Sequence, residues 1–272
     1  MRQRTVKVIL IGIVAFLSGT LAWSQQTASV KSQRTTPVKL VIPTYGERDL
    51  VINAWNAGLG REFDYVNDAP LADNFADLER VKVGTHCWTN PSFEYARTHA
   101  DTAPKTIRCF NYDFESWSHT PKAERDDIVG TSKALRDFCN ARQWKLAIGP
   151  QYRHALKLAP KVGSYYDIFI VQCQKFQNDQ RREKTVQYLR EVEKALHQVN
   201  PKCLLGCQLG SSDTFGNGQP GDGVRCATAL YESTKDFVQI YGVWWPPNGK
   251  ALIALLQAMD ASPASSIHRV LP

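Results

Sequence analysis

The sequence predicts an α/β fold, a single (β/α)8 barrel of the TIM type with parallel inner strands. From residue 37 onward, short β-branched runs alternate with longer stretches of helical spacing. Such alternation builds a parallel sheet. It yields eight units in about 235 residues, which is the size of this barrel. No glycine-rich phosphate loop follows the first strand, which argues against an open doubly wound sheet.

The strands are expected at PVKLVIPTY (37–45), EFDYVN (62–67), RVKVGTHCW (80–88), TIRCFNYDFE (106–115), KLAIGPQY (145–152), YDIFIVQCQ (166–174), CLLGCQLG (203–210) and FVQIYGVWW (237–245). Helices are expected between them, over 47–58, 71–79, 91–102, 123–142, 152–161, 180–199, 222–235 and 247–260. The clearest is 180–199, where Val186, Leu189, Val192, Leu196 and Val199 recur at three- and four-residue steps before Asn200-Pro201 stops the helix. The last begins near Pro247 and carries Leu252, Leu255, Leu256 and Met259 on one side.

Ahead of the barrel, MRQRTVK is a basic start, and VILIGIVAFLSGTLA has the length of a signal h-region. Ala22 and Ser24 place small residues for cleavage after Ser24. The run is short for a bilayer span, and no later run is long enough to span one. Residues 1–24 are therefore expected to be a cleaved signal peptide, 25–36 a flexible tether, and 37–272 the barrel. A secreted or periplasmic protein with no stable membrane anchor after cleavage follows.

The formal charge is +7, and Arg2, Arg4 and Lys7 leave with the leader; taking these three from +7 leaves +4. The remaining basic residues are scattered. Only QRREK (180–184) is dense, as suits a solvated helix face, so no nucleic-acid partner is expected. The seven cysteines, Cys87, Cys109, Cys139, Cys173, Cys203, Cys207 and Cys226, are odd in number, so at least one stays free or pairs outside the chain. They form no C-x-x-C and no Cys/His cluster with zinc spacing. Most read as small buried residues in strands. No pattern calls for a cofactor.

In such a barrel, chemistry sits at the C-terminal ends of the strands. Residues two apart on a strand share a face. On the fourth strand Ile107, Cys109, Asn111, Asp113 and Glu115 share one parity and are expected inward; Phe110, Tyr112 and Phe114 have the other and suit the layer under the helices. Both acids should then point into the open mouth. The sixth strand grades the same way, from Ile168 and Ile170 to Gln172 and Gln174. Buried amides without partners are costly, and a polar mouth would supply partners. The third strand offers His86 and Trp88, and the fifth Gln151, Tyr152 and Arg153. The seventh offers Gln208 with Asp213 beyond it, and the eighth Trp244 and Trp245.

Flat rings stack on pyranose faces, and amides bond sugar hydroxyls. The expected ligand is therefore a carbohydrate, bound by Trp244, Gln172, Gln174, Gln208, Trp88, Gln151 and Asp213. Each has a structural alternative. Trp244 and Trp245 could pack between strand and helix, the acids could bridge to rim cations, and His86, His119 and His154 read as surface or hydrogen-bonded fillers.

Two same-face acids on one strand lie about 6–7 Å apart at Cβ, so their carboxylates can meet. Like charges push one pKa up, and a protonated carboxyl can protonate a glycosidic oxygen. Glu115 is outermost and longer, so it is the expected general acid, with Asp113 as its partner.

The run N-Y-D-F-E (111–115) on a fourth strand resembles the tail of the D-x-x-D-x-D-x-E motif of glycoside hydrolase family 18, the chitinase-like barrels. The resemblance implies that Glu115 is the acid. It also implies that Asp113 orients the substrate's own N-acetyl group, which acts as nucleophile, and that Trp244 floors the subsite beside the cleaved bond. The motif's first two acids fall here on Arg108 and Asn111. Gln172 and Gln174 stand near the end of strand six, where the family has a Tyr.

The leading expectation is an exported glycoside hydrolase acting on a β-linked glycan, with N-acetylglucosamine among the candidate sugars. In a variant, Asp213 is nucleophile or base; about 5 Å between carboxyls suits a retaining pair and ~6.5–9.5 Å an inverting one. The alternative is a catalytically inactive carbohydrate-binding barrel, which Asn111 and the missing Tyr favour. A third reading, a metal-dependent hydrolase, finds no H-x-H on the first strand and no strand-end His pair.

Overall fold

The computed structural model describes residues 36–41, 47–67, 75–115, 119–244 and 248–262; the expected leader and nearly all of the tether lie outside these. The strands are β1 Val38–Val41, β2 Tyr65–Asn67, β3 Thr85–Asn90, β4 Ile107–Tyr112, β5 Lys145–Ile148, β6 Ile168–Gln172, β7 Leu204–Gly210 and β8 Ile240–Trp244. They pair in parallel in chain order, and β8 returns to β1, which closes the barrel.

The helices are α1 Arg48–Ala54, α2 Phe75–Glu79, α3 Phe93–His99, α4 Lys122–Asp126, α5 Ile128–Asn140, α6 Tyr152–Val162, α7 Arg182–Val199, α8 Asp222–Thr234 and α9 Gly249–Ala261. Helix α7 buries Leu189, Val192 and Leu196, and α9 buries Leu252, Leu255, Leu256 and Met259, as their spacing requires. The helix expected over 123–142 is two. Asp127 interrupts it, accepting from the Gly130 N–H at 2.9 Å as a cap for α5. A short polar side chain competes with the helix in this way. The third strand begins at Thr85, later than expected, just after Gly84 with φ +104. That left-handed turn suits glycine, and a Cβ there would come 3.0 Å from the Asp64 carbonyl oxygen. The strand then runs on to Asn90.

Alternation sorts the strand residues into two apolar layers. Cys87, Cys109, Ala147, Ile168, Ile170 and Ile240 fill the barrel interior. Leu40, Trp88, Phe110, Tyr112, Phe169, Val171, Leu205 and Val243 pack under the helices. Ile107 corrects the expected parity: it joins the helix-side core. The register slips between β3 and β4, so that His86 faces Ile107 but Cys87 faces Cys109. Arg108 is the extra residue of a bulge, and a bulge resets which face the preceding residue takes. All seven cysteines are buried thiols, but only Cys87, Cys109 and Cys207 lie in strands; Cys173 and Cys203 flank β6 and β7, and Cys139 and Cys226 are on α5 and α8. Among the described residues no helix is long and apolar enough to cross a membrane.

Glu124 on α4 ties β4 to α3. Its buried carboxylate accepts from the Phe93 and Glu94 N–H groups at 2.9 and 3.0 Å, and from the Tyr112 hydroxyl at 2.9 Å. Glu124→Gln is expected to lower stability by about 2 kcal/mol, because charge-assisted bonds become weaker or are left unmade. Urea unfolding would register this as a lower midpoint with an unchanged m-value.

Candidate active site

The open mouth of the barrel holds a cavity of about 610 Å³ lined by residues from the ends of β1 to β7. Asp113 and Glu115 follow β4 directly, and both line it. The chain there is held on both sides. The Asp113 N–H donates to the Asn90 carbonyl at 3.1 Å, and the Gly149 N–H to the Tyr112 carbonyl at 3.0 Å.

Gln172, the last residue of β6, joins the two acids. Its Nε2 lies 2.9 Å from the Gly149 carbonyl oxygen, 3.1 Å from Glu115 Oε1 and 3.4 Å from Asp113 Oδ1. An amide nitrogen has two hydrogens for these three acceptors, so Asp113, the most distant, is the least served. Gln151 Nε2 reaches Glu115 Oε2 at 3.4 Å, and the Arg153 guanidinium donates through Nε to Gln151 Oε1 at 3.2 Å. Arg153 thus holds the amide that faces Glu115.

Burial, and then the charge of Glu115, push the Asp113 carboxyl up to about 7, against an opposing pull from Lys39. By surface area Asp113 is only half-buried, because the cavity opens onto it. Protein atoms nevertheless surround the carboxyl densely. Those surrounding atoms desolvate the carboxyl even though the mouth is open to water. The pair therefore keeps one proton up to neutral pH, and the inner acid holds it.

The expected residues Asp113, Glu115, Gln151, Gln172, Gln174 and Gln208 converge on this cavity. Two others do not. Trp88 is fully buried under the helices, edge-on to Phe110 at 5.6 Å and to Phe75 at 6.0 Å. On β3 the inward places belong to Cys87 and Thr89, and the strand's extension to Asn90 brings Thr89 to the cavity in place of Trp88. Asp213 is absent from the cavity wall; its Oδ1 accepts from the Gly223 N–H at 3.0 Å, at the start of α8. A carboxylate spent on a helix start is a poor nucleophile or base for a substrate in the mouth. The backbone of Trp244 ends β8 beside Gly210, while its side chain and all of Trp245 lie outside the described residues.

His86 is a hydrogen-bonded filler, placed between Thr106 Oγ1 and the Val81 carbonyl at 3.1 Å each. Phe176 and Phe215 supply aromatic faces that sequence reasoning missed, Phe176 stacked on Tyr152 at 4.1 Å between centroids. Both follow their strands in short 3-10 turns, where strand parity gives no signal. Lys39 was also missed. Its signal was a lysine in the middle of the apolar run VKLV. Among the described residues no group of three or more His, Cys, Asp or Glu is placed to hold a metal ion.

No protein-family model and no curated relative matches the sequence. Solved structures do match in fold. Active domain 2 of the thermostable chitinase from Pyrococcus furiosus superposes with a TM-score of 0.56 at 9% identity, covering 84% of this chain and 95% of that one. A chitinase from Chromobacterium violaceum gives 0.53 at 10% identity, covering 84% and 99%. The PgaB (BpsB) glycoside hydrolase domain from Bordetella bronchiseptica gives 0.52 at 10% identity, covering 85% and 99%. The chain therefore shares the (β/α)8 barrel fold of these structures. At these identities the likeness is one of fold, and the chemistry has to be argued from the site.

Proposed function

We propose that this barrel is a glycoside hydrolase acting on a β-linked glycan, with Glu115 as general acid and Asp113 as its partner. One observation carries the reading. Two neighbouring carboxyls stand at the open end of a closed barrel, share a single amide donor, and hold one proton between them up to about pH 7. Like charges at close quarters cannot both ionise cheaply.

When a sugar fills the mouth, the proton passes from Asp113 to Glu115, the outer acid. Glu115 then gives it to the leaving glycosidic oxygen. Asp113, now ionised, faces the positive charge that develops at the sugar. Gln172 and Gln151 keep Glu115 in one orientation through the cycle. With Asp213 held at the start of α8, the second participant nearest to hand is Asp113 itself. That favours a substrate whose own N-acetyl group attacks the anomeric carbon. Phe176 and Phe215 offer ring surface for the pyranose rings, whereas Tyr152 is sandwiched between Phe176 and Tyr188.

The test is incubation with chitin oligomers and a panel of other β-linked oligosaccharides, reading new reducing ends and binding together. Cleavage of one class supports the reading. Saturable binding without turnover replaces it with the carbohydrate-binding barrel, and neither binding nor cleavage across the panel sinks both. The leader pattern further supports an exported protein. The intact mass of the chain from producing cells is expected to start at Gln25, and a mass that retains the leader would overturn this.

A further inference from the structure

We propose that the floor of this cavity receives the negatively charged group of an acidic sugar, with Lys39 as its counter-ion. The inference rests on the glycan reading above and narrows its substrate class.

Lys39 sits between Val38 and Leu40, which both pack under the helices. Alternation therefore turns Lys39 inward, where it lines the cavity at only 8% exposure. No hydrogen bond or ion pair joins its ammonium to a described residue. A lysine in such a place is expensive unless something pairs with it.

Asp113 does not fill that need. No ion pair within 4.0 Å forms between the two, and burial and Glu115 outweigh the pull of Lys39 on that carboxyl. Burial pulls the Lys39 amine below its ordinary value, an effect that an arriving anion would offset, and its remaining neighbours, Cys87 and Cys109, are buried thiols.

The groups beside it are also unspent. Thr89 and Asn111, each 2% exposed, line the same cavity, and their Oγ1 and Oδ1 atoms have no hydrogen-bond partner among the described residues. A threonine hydroxyl can donate to an anion, and an amide oxygen can accept from a sugar hydroxyl. Together with the ammonium, they match an anionic substituent and its neighbouring hydroxyl. Toward the rim, the exposed Arg153 and Lys175 add positive charge to the same wall. That arrangement suits a polymer carrying repeated negative groups. The ligand chemistry is thus an anionic sugar, whose charge could be a carboxylate or a sulfate ester.

Calorimetric titration of the whole protein with methyl β-D-glucuronide, methyl β-D-glucoside and the 6-sulfate of that glucoside tests this without turnover. At least one acidic glycoside is expected to bind about tenfold tighter than the neutral one, as a charge-assisted contact would give. Which acidic glycoside is preferred distinguishes carboxylate from sulfate. Lys39→Met is expected to abolish the preference, and Lys39→Arg to keep part of it. Equal affinity for all three in the parent protein, or a preference that survives Lys39→Met, overturns the inference and leaves the glycan reading standing. If the methionine variant does not fold, the comparison within the parent protein still decides. Failure of all three to bind also overturns the inference, while the oligosaccharide panel decides the glycan reading separately.

Discussion

Glu115→Gln is expected to lower kcat for glycan cleavage by about 10³-fold, within the range for losing a general acid. Glutamine keeps the shape and an oxygen for one of the two amides, Gln172 or Gln151, which reach separate Glu115 oxygens at 3.1 and 3.4 Å; its NH2 group faces the other. It cannot carry the transferable proton. The loss should therefore appear in kcat, with KM changed by no more than about threefold. The leaving group supplies a second readout. An aryl glycoside whose phenol departs without protonation needs the acid least, so its hydrolysis should fall far less than that of an alkyl glycoside. Misfolding would depress both substrates equally. Hydrolysis of the alkyl glycoside that continues unchanged would remove Glu115 from the chemistry.

Asp113→Asn is expected to make the protein more stable at alkaline pH while leaving stability near pH 4 almost unchanged. The Asp113 carboxyl sits at about 7 in the fold, against an ordinary value of 3.8. The folded chain thus keeps this proton to higher pH than the unfolded chain does. Its contribution to stability is fully present below about pH 4, declines as pH rises toward 7, and is flat beyond. A displacement of that size corresponds to roughly 4 kcal/mol. The open mouth screens part of it, so about 2 kcal/mol is the expected gain at pH 8. Urea midpoints of parent and variant at pH 4 and pH 8 would measure it, since titrating groups other than Glu115 and Lys39, which interact with Asp113, cancel in the comparison. A difference that does not grow with pH would mean that the carboxyl is not held protonated. The same substitution should reduce cleavage, because asparagine can neither pass a proton to Glu115 nor face a cation with a full charge.

Much of the barrel was legible because two periodicities alternate eight times. The inward parity of Asn111, Asp113 and Glu115 was readable from β4 alone, since Phe110, Tyr112 and Phe114 claim the helix side. Trp88 misled because its strand end was placed two residues early. In the fold, the run goes on through Thr89 and Asn90, and an indole suits the broad seam between sheet and helices. Asp213 looked free in the sequence, but nothing local announces that it will meet the Gly223 N–H ten residues on. Lys39 was passed over because a lone lysine in a strand is ordinarily assigned to solvent. Its meaning depends on strands from the far side of the ring, which no local pattern reports. Which of the two acids keeps the proton likewise depends on how densely the fold encloses each one.

The bulge at Arg108 separates the foot of the fourth strand from its tip. Above it, the pairing of Cys109 through Tyr112 with Lys145 through Ile148 is unbroken, so the acids keep their phase whatever happens below. A residue gained or lost at the foot would be absorbed there rather than transmitted upward. The lower rim can thus change length while the rim that carries Asp113 and Glu115 stays in step. A comparison of distant relatives that forces strand four into one ungapped block would put the wrong residues opposite one another at its start.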